Sequence, residues 1–171
     1  HSLGVYALAC RVLNRLAAAH PEFAQELDPR DIRTFLLASL VHDVGHWPYC
    51  HPIEDLKLDW VPKHEELARR LICTGELADT ITIDWDVDPV AVADFLIGSA
   101  DGSRHVKVLQ HVLNGPVDID KMDYLQRDSL HAGVPYGRNF DIGRLIGSLC
   151  LNTKAGTLAI TEKGKTAAEM M

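Results

Sequence analysis

The feature that most constrains the fold is a helix-start signal that occurs twice in this chain of 171 residues. Asp28 and Asp88 each precede a proline. Aspartate is a preferred N-cap because its carboxylate accepts backbone N–H groups of the first turn, and proline suits the first helical position. After the first signal, apolar residues recur at helical spacing: Ile32, Phe35, Leu36, Leu40 and Val41. Both segments are predicted helices, and Gly45 and Gly98 are predicted to cap their C-terminal ends.

The same periodicity predicts further helices. In the segment from Leu3 to Ala19, the apolar stripe consists of Leu3, Tyr6, Cys10, Leu13, Leu16 and Ala17. Three more helices are predicted at His64 to Ile72, at about His105 to Leu113, and from near Asp118 onward. Residues 47–62 contain three prolines and are predicted to be a loop, whereas residues 79–87 show no clear pattern.

The end of the chain has a different pattern. The segment GTLAITEKGKTAAEMM, residues 156–171, predicts a short β-hairpin around Glu162, Lys163 and Gly164, followed by a helix start. The predicted fold class is therefore all-α, a mostly helical single domain over residues 1–171 with a small β-hairpin near the C-terminus. Because an apolar pattern is already under way at His1, and a new helix is indicated at the other end, we expect a fragment of a longer chain at both ends.

The composition is that of a globular protein and argues against two classes of partner. Hydrophobic residues make up 47% of the chain, and no apolar run approaches the ~20 residues that span a bilayer. A formal net charge of -7 argues against a broad nucleic-acid surface, because phosphate backbones are bound by excess lysine and arginine. A small phosphate ligand needs only a locally positive pocket. The absence of a long apolar run predicts no membrane partner. Four widely separated cysteines without a CxxC pair are typical of reduced thiols, which predicts a cytoplasmic location.

Polar, titratable groups concentrate at the predicted end of the second helix. The stretch LVHDVGHWPYCHPIE, residues 40–54, holds three histidines and two acids. His46 alone could be explained by the negative end of the helix dipole, which favours cations. The same dipole disfavours Asp43, so this carboxylate calls for a cation beside it, and carboxylate with imidazole is a usual ligand set for Mn²⁺, Fe²⁺ or Zn²⁺. The residues alone leave two interpretations open, a metal site or an ordinary helix end.

A second polar group lies on the helix predicted near residue 118. In VDIDKMDYLQRD, residues 117–128, Asp120, Tyr124 and Asp128 follow a four-residue step and therefore share one face, with Lys121 beside them. A charged, solvated face would explain the acids and the lysine equally well. The tyrosine in the middle of that face fits this alternative poorly.

Four segments together resemble one known family. They are HSLGVYALA at 1–9, HDVGHWPYCHPIE at 42–54, KHEELARRLI at 63–72 and VDIDKMDYLQRD at 117–128. In this order they resemble the HD-domain metal-dependent phosphohydrolases. More narrowly, they look like the dGTPase-like branch, the deoxynucleoside triphosphate triphosphohydrolases. The second and fourth segments are the most discriminating, because single-metal HD nucleotidases and cyclic-dinucleotide phosphodiesterases usually lack the full pair.

The resemblance implies a role for eleven residues. One divalent metal ion (Mn, Fe, Zn, Ni or Mg) would be held by His1, His42, Asp43 and Asp120. Three histidines would contact phosphate or handle protons, with one acid supporting a histidine: His46, His51, His64 and Glu54. Lys121 would bind phosphate, and Tyr124 and Asp128 would meet the sugar.

The activity implied is hydrolysis of a dNTP to a deoxynucleoside and triphosphate, in a protein that can form homo-oligomers. Two alternatives from the same family are a phosphohydrolase for nucleoside monophosphates or cyclic nucleotides, and a catalytically silent nucleotide-sensing module. The presence of His46, His51 and His64 together with Lys121 argues against the silent module, which would not need to keep all four. A fourth hypothesis is a purely structural helical domain, in which every polar group lies on the surface and has no function.

Overall fold

The computed structural model describes residues 1–98, 102–152 and 157–171. Within these ranges the chain forms eleven α-helices, one 3-10 helix and two strands. The helices are α1 Ser2–Ala19, α2 Pro21–Glu26, α3 Pro29–Val41, α4 Cys50–Glu54, α5 His64–Ile72, α6 Gly75–Trp85, α7 Pro89–Ile97, α8 Arg104–Asn114, α9 Ile119–Ala132, α10 Ile142–Ser148 and α11 Lys165–Glu169. The strands are β1 Leu149–Asn152 and β2 Thr157–Ile160, and the 3-10 helix is Glu162–Gly164.

Aspartate side chains cap the starts of α3, α7 and α9. Asp28 accepts the backbone N–H of Arg30 at 2.8 Å, and Asp88 accepts that of Val90 at 2.9 Å. Asp118 accepts the backbone N–H of the residue three positions later at 2.7 Å. Each bond satisfies a first-turn donor that has no partner within the helix. The helix starts predicted from the sequence are confirmed.

Helix α1 lies at the centre of the fold, where it packs against α3 and α9, and α7 packs against α3 and α5. The buried face of α1 consists of Val5, Leu8, Ala9, Val12 and Leu16. The stripe predicted for this helix was right for Leu16, which is buried, and wrong for Leu3, which is 76% exposed. Apolar residues occur almost all round α1, so periodicity alone could not choose a face. The contacts with α3 and α9 make that choice, and they bring the start of α1, the end of α3 and the start of α9 together.

The predicted hairpin exists, but its position was wrong. β1 pairs with β2 in antiparallel register, with Leu149 opposite Ile160. The segment Glu162–Gly164, predicted to be the turn, is a 3-10 helix that leads into α11. Position 164 requires a glycine because of close packing and not because of a turn. A Cβ there would lie 1.8 Å from the Ser148 hydroxyl oxygen.

Other differences from the sequence prediction concern residues 47–62, residues 79–87 and Gly45. Residues 47–62 include the short helix α4, and part of the indistinct stretch 79–87 belongs to α6. Gly98 caps α7 in the left-handed conformation as predicted, but Gly45 does not cap α3, which ends at Val41. A Cβ on Gly45 would lie 2.2 Å from the carbonyl oxygen of His64. The glycine therefore serves the close contact between this turn and α5.

The four cysteines are free thiols. In the part of the chain that the structure describes, no helix has both the length and the hydropathy to cross a lipid bilayer.

Candidate metal centre and histidine cluster

Two histidines and two aspartates from three helix ends lie close together, and single ligand atoms of His1, His42 and Asp120 all lie within 4.8 Å of one another. The Nε2 atom of His1 lies 2.9 Å from Oδ1 of Asp120 and 3.5 Å from Oδ2 of Asp43. The Nε2 atom of His42 lies 3.4 Å from each of the same two oxygens. The two Nε2 atoms are 3.2 Å apart. We call His1, His42, Asp43 and Asp120 the donor group.

In His1 and His42, a hydrogen bond made by Nδ1 orients the ring so that Nε2 faces the other members of the donor group. Nδ1 of His1 lies 2.8 Å from a carboxylate oxygen of Asp123, and Nδ1 of His42 lies 3.0 Å from the carbonyl oxygen of Ser39. Both partners are acceptors, so each Nδ1 carries the proton and donates it. In the neutral rings both Nε2 atoms therefore present lone pairs to each other.

This convergence favours a positive charge among the four side chains. Two nitrogen lone pairs and two carboxylate oxygens at these distances repel one another unless a proton or a metal ion lies among them. Imidazole and carboxylate together suit divalent Mn, Fe or Zn, and a catalytic site needs coordination positions beyond the protein ligands. The donor group fits a divalent metal ion on this chemistry.

The negative charges of the donor group also affect the pKa of His42. Burial lowers it, but the hydrogen bond from His42 to Asp120 and the charges of Asp43 and Asp120 outweigh burial and raise the pKa above its ordinary value. The site thus stabilises positive charge at this ring.

A second group of imidazoles lies beside the donor group. Nε2 of His46 is 3.3 Å from Nε2 of His51, and the rings of His46 and His64 have centroids 4.4 Å apart. Burial and the neighbouring imidazoles lower the pKa of His46 against the opposing charge of Asp43. Oδ1 of Asp43 is 3.4 Å from Nδ1 of His46, so this aspartate joins the two groups. We call His46, His51 and His64 the histidine cluster.

Glu54 holds one member of the cluster in place. Its carboxylate accepts the backbone N–H of His64 at 2.6 Å and lies 2.9 Å from Nδ1 of the same residue. The backbone bond first, and then the side-chain bond, lower the pKa of Glu54. Nδ1 of His64 therefore donates to Glu54, which leaves Nε2 for contacts on the other side of the ring.

Both groups border one open pocket of about 460 Å³. One part of its wall is polar and is formed by the histidine cluster with three members of the donor group. Another part is mostly apolar and is formed by Ala68, Ile72, Ala93, Leu96 and Ile97. A ligand with an anionic part and an organic part suits such a pocket.

The three predicted substrate-binding residues lie on α9 beyond the residues that line this pocket. Lys121 donates to the Asp118 carboxylate and to the Gly115 carbonyl oxygen at 3.4 Å. Burial lowers the pKa of Lys121, but the hydrogen bond and charge of Asp118 outweigh it and raise that pKa. The ring of Tyr124 lies 6.5 Å from that of His1, and Asp128 is exposed one turn further on.

Sequence reasoning missed Asp123, which contacts His1 directly. A signal was available, because Asp123 lies three residues after Asp120 and four residues before Arg127. That spacing places its side chain within reach of Arg127 and beside the face that carries Asp120.

The HD domain family matches residues 1–93 of this chain. Uncharacterized protein YwfO of Bacillus subtilis (strain 168) is 32% identical over 172 residues, which covers 99% of this chain and 36% of that protein. A deoxynucleoside triphosphate triphosphohydrolase SAMHD1 homolog of Dictyostelium discoideum is 30% identical over 145 residues, 78% of this chain and 27% of that protein. The crystal structure of a phosphohydrolase from Bacteroides thetaiotaomicron superposes with a TM-score of 0.74 at 25% identity, over 99% of this chain and 38% of that one. The chain thus spans about a third of the length of the proteins it matches.

Proposed function

The chain belongs to the HD domain family, and we propose that it carries the active site of a metal-dependent phosphohydrolase. The proposed substrate is a dNTP, which water hydrolyses at the 5′ ester bond to give a deoxynucleoside and triphosphate. The four motif segments and the similarity to a protein named as a deoxynucleoside triphosphate triphosphohydrolase support this substrate class.

The observation that carries the proposal is the convergence of the donor group. The four distances between the Nε2 atoms of His1 and His42 and the carboxylate oxygens of Asp43 and Asp120 are 2.9–3.5 Å. A divalent ion bound there supplies Lewis acidity, which polarises a phosphate oxygen and lowers the pKa of a bound water. Asp43 and Asp120 provide the negative charge that such an ion requires.

The histidine cluster is assigned to the phosphate and to proton transfer. His46 and His51 bind phosphate oxygens, and their donors offset the charge that develops during hydrolysis. His64, protonated, donates the Nε2 proton to the leaving 5′ oxygen as general acid. Glu54 holds the opposite nitrogen of this ring at 2.9 Å, which keeps Nε2 directed away from the carboxylate. His51, 68% exposed, is the alternative proton donor.

The residues of α9 are assigned to the rest of the nucleotide. Lys121 binds phosphate, Tyr124 contacts the sugar, and Asp128 accepts the 3′ hydroxyl. Because the ammonium group of Lys121 is paired with Asp118, a phosphate oxygen binds it by adding a contact on its exposed side. The side chain of Lys121 is 41% exposed, which leaves room for this contact.

The proposal includes a cytoplasmic location, which the four free thiols support, and assembly into a homo-oligomer. Size-exclusion chromatography with light scattering tests the assembly.

The activity is tested with the full-length protein, dNTPs and either Mn²⁺ or Mg²⁺, with chromatographic detection of triphosphate. A panel of nucleoside monophosphates and cyclic nucleotides runs in parallel. Release of triphosphate that is lost in Asp43→Asn supports the proposal. Turnover of another phosphoester without triphosphate release would reject the dNTP assignment, and tight nucleotide binding without any turnover would indicate a sensing module.

A further inference from the structure

We infer that Asp123 is the positioning residue that holds His1 in its metal-binding orientation, and that Gly4 and Arg127 hold Asp123 in turn. This inference rests on the proposed function, in which His1 is a metal ligand. It adds three residues outside the donor group and the histidine cluster.

The first step is the contact between Asp123 and His1. Oδ2 of Asp123 accepts the Nδ1 proton of His1 at 2.8 Å, while Nε2 of the same ring faces Asp120 at 2.9 Å. The Asp123 side chain is only 11% exposed, so water competes weakly for this bond. A carboxylate behind a metal-binding imidazole fixes the tautomer and the ring orientation, and it makes the ring a better ligand.

The second step is the support of Asp123 itself. Arg127, one helical turn further along α9, donates from Nε to Oδ2 at 2.8 Å and from a terminal nitrogen to Oδ1 at 2.9 Å. This two-point pairing fixes the plane of the carboxylate. The carboxylate therefore cannot rotate away from His1 without breaking the bonds to the guanidinium.

The third step is the space that α1 leaves for this pair. A Cβ atom on Gly4 would lie 1.9 Å from Oδ1 of Asp123 and 2.6 Å from a terminal nitrogen of Arg127. Only glycine at this position allows the carboxylate and the guanidinium to reach the first turn of α1, where His1 begins the helix. The three residues thus form one unit behind the ligand.

The isosteric substitution Asp123→Asn discriminates this role from simple packing. The amide has only one oxygen, so an NH₂ donor must take the place of one of the two carboxylate oxygens, and both of those oxygens now accept hydrogen bonds. If its NH₂ group turns toward His1, the ring is favoured in the tautomer that places a proton on Nε2, where the metal must bind. If the NH₂ group turns toward Arg127, two donors face each other.

The test measures the dissociation constant of Mn²⁺ and of Zn²⁺ by competition with a chelating dye, without substrate, in the full-length protein. Asp123→Asn is expected to weaken metal binding about 10- to 100-fold, the usual effect of losing such a partner. Gly4→Ala should act in the same direction without changing any ligand. Asp79→Asn, which removes an exposed carboxylate on α6, and Gly147→Ala, whose Cβ would meet nothing within 4 Å, are the matched controls and should bind as the wild type does.

A metal-titrated activity assay separates positioning from misfolding. Turnover of Asp123→Asn should approach the wild-type rate as the metal concentration rises, whereas a folding defect would not respond to metal. A wild-type dissociation constant in Asp123→Asn would overturn the inference. A wild type that binds metal but hydrolyses no nucleotide would remove the proposed function and leave the positioning role in place, provided that Asp123→Asn weakens the binding.

Discussion

Replacing Gly45 with alanine tests whether the turn after α3 and helix α5 must touch for catalysis. Gly45 is buried, and it packs against the first turn of α5, the helix that begins with His64. The turn also carries Asp43 and His46, so this contact sets the distance between the donor group and the histidine cluster. A methyl group added here therefore probes that distance without removing any polar atom.

The size of the perturbation follows from three distances. The added Cβ would lie 2.2 Å from the His64 carbonyl oxygen, 2.7 Å from the Ala68 nitrogen and 2.8 Å from the Ala68 Cβ, whereas Cβ atoms essentially never approach closer than 3.0 Å. The carbonyl must therefore retreat by about 0.8 Å, and the nearest atom is backbone, so α5 has to move as a body. Overpacking of this kind costs about 1–3 kcal/mol of stability, and a misplacement of about 1 Å near reacting groups can lower turnover ~100-fold.

The assay compares Gly45→Ala with Gly147→Ala, which adds the same methyl group in helix α10 without any contact within 4 Å. The control should keep wild-type activity, and its free energy of unfolding should rise by up to about 1 kcal/mol, since alanine is the better helix former. Gly45→Ala should unfold at lower urea concentration and lose turnover while its metal affinity stays close to that of the wild type, because the atoms that must move belong to α5, which carries no member of the donor group. Wild-type turnover in a stable Gly45→Ala protein would refute the reasoning, since α5 would then be free to shift.

Three further predictions concern the metal, Glu54 and Lys121. Chelation should lower the melting temperature, because a metal at a hundred times its dissociation constant stabilises the folded state by about 2.7 kcal/mol; calorimetry that shows no shift would contradict this. The pKa of Glu54 is lower in the folded state, so the stabilisation from its bonds to His64 is complete above the ordinary carboxyl pKa of about 4.3 and is lost as the pH falls through the lowered pKa. The urea midpoint of the wild type should therefore exceed that of Glu54→Gln at pH 7 and approach it in acid. A difference between the two midpoints that does not change with pH would contradict this role of Glu54. Lys121→Met should raise KM for the dNTP about 10- to 100-fold, the value of a charged hydrogen bond worth about 1.5–3 kcal/mol, and steady-state kinetics with an unchanged KM would exclude the phosphate contact.

The fold class and several helix boundaries could be predicted from the sequence because their signals are local. Asp28 and Asp88 cap the helices that follow them, and the helix predicted at His64 to Ile72 has those same bounds in the structure. A cap and an apolar period involve only a few consecutive residues, so they can be read without knowing the packing. The resemblance also named the four residues of the donor group, which lie close together in the structure.

The choice of partners could not be predicted in this way. The sequence predicted that α3 runs as far as a cap at Gly45, but α3 ends at Val41, and His46 in the following turn contacts His51 and His64. Likewise, the strand that pairs with β2 is Leu149–Asn152, a segment without a clear strand pattern.

The sequence by itself determined where helices start, that they are amphipathic, and which residue types are available for a metal. Only the tertiary structure decided which face of α1 is buried, why Gly45 must be glycine, and that Asp123 holds His1. The physical reason is that a helix start depends on bonds between neighbours in the chain, whereas these contacts depend on how α1, α3, α5 and α9 pack. A single ångström of that packing determines whether residues more than a hundred positions apart, such as His1 and Asp123, form a hydrogen bond.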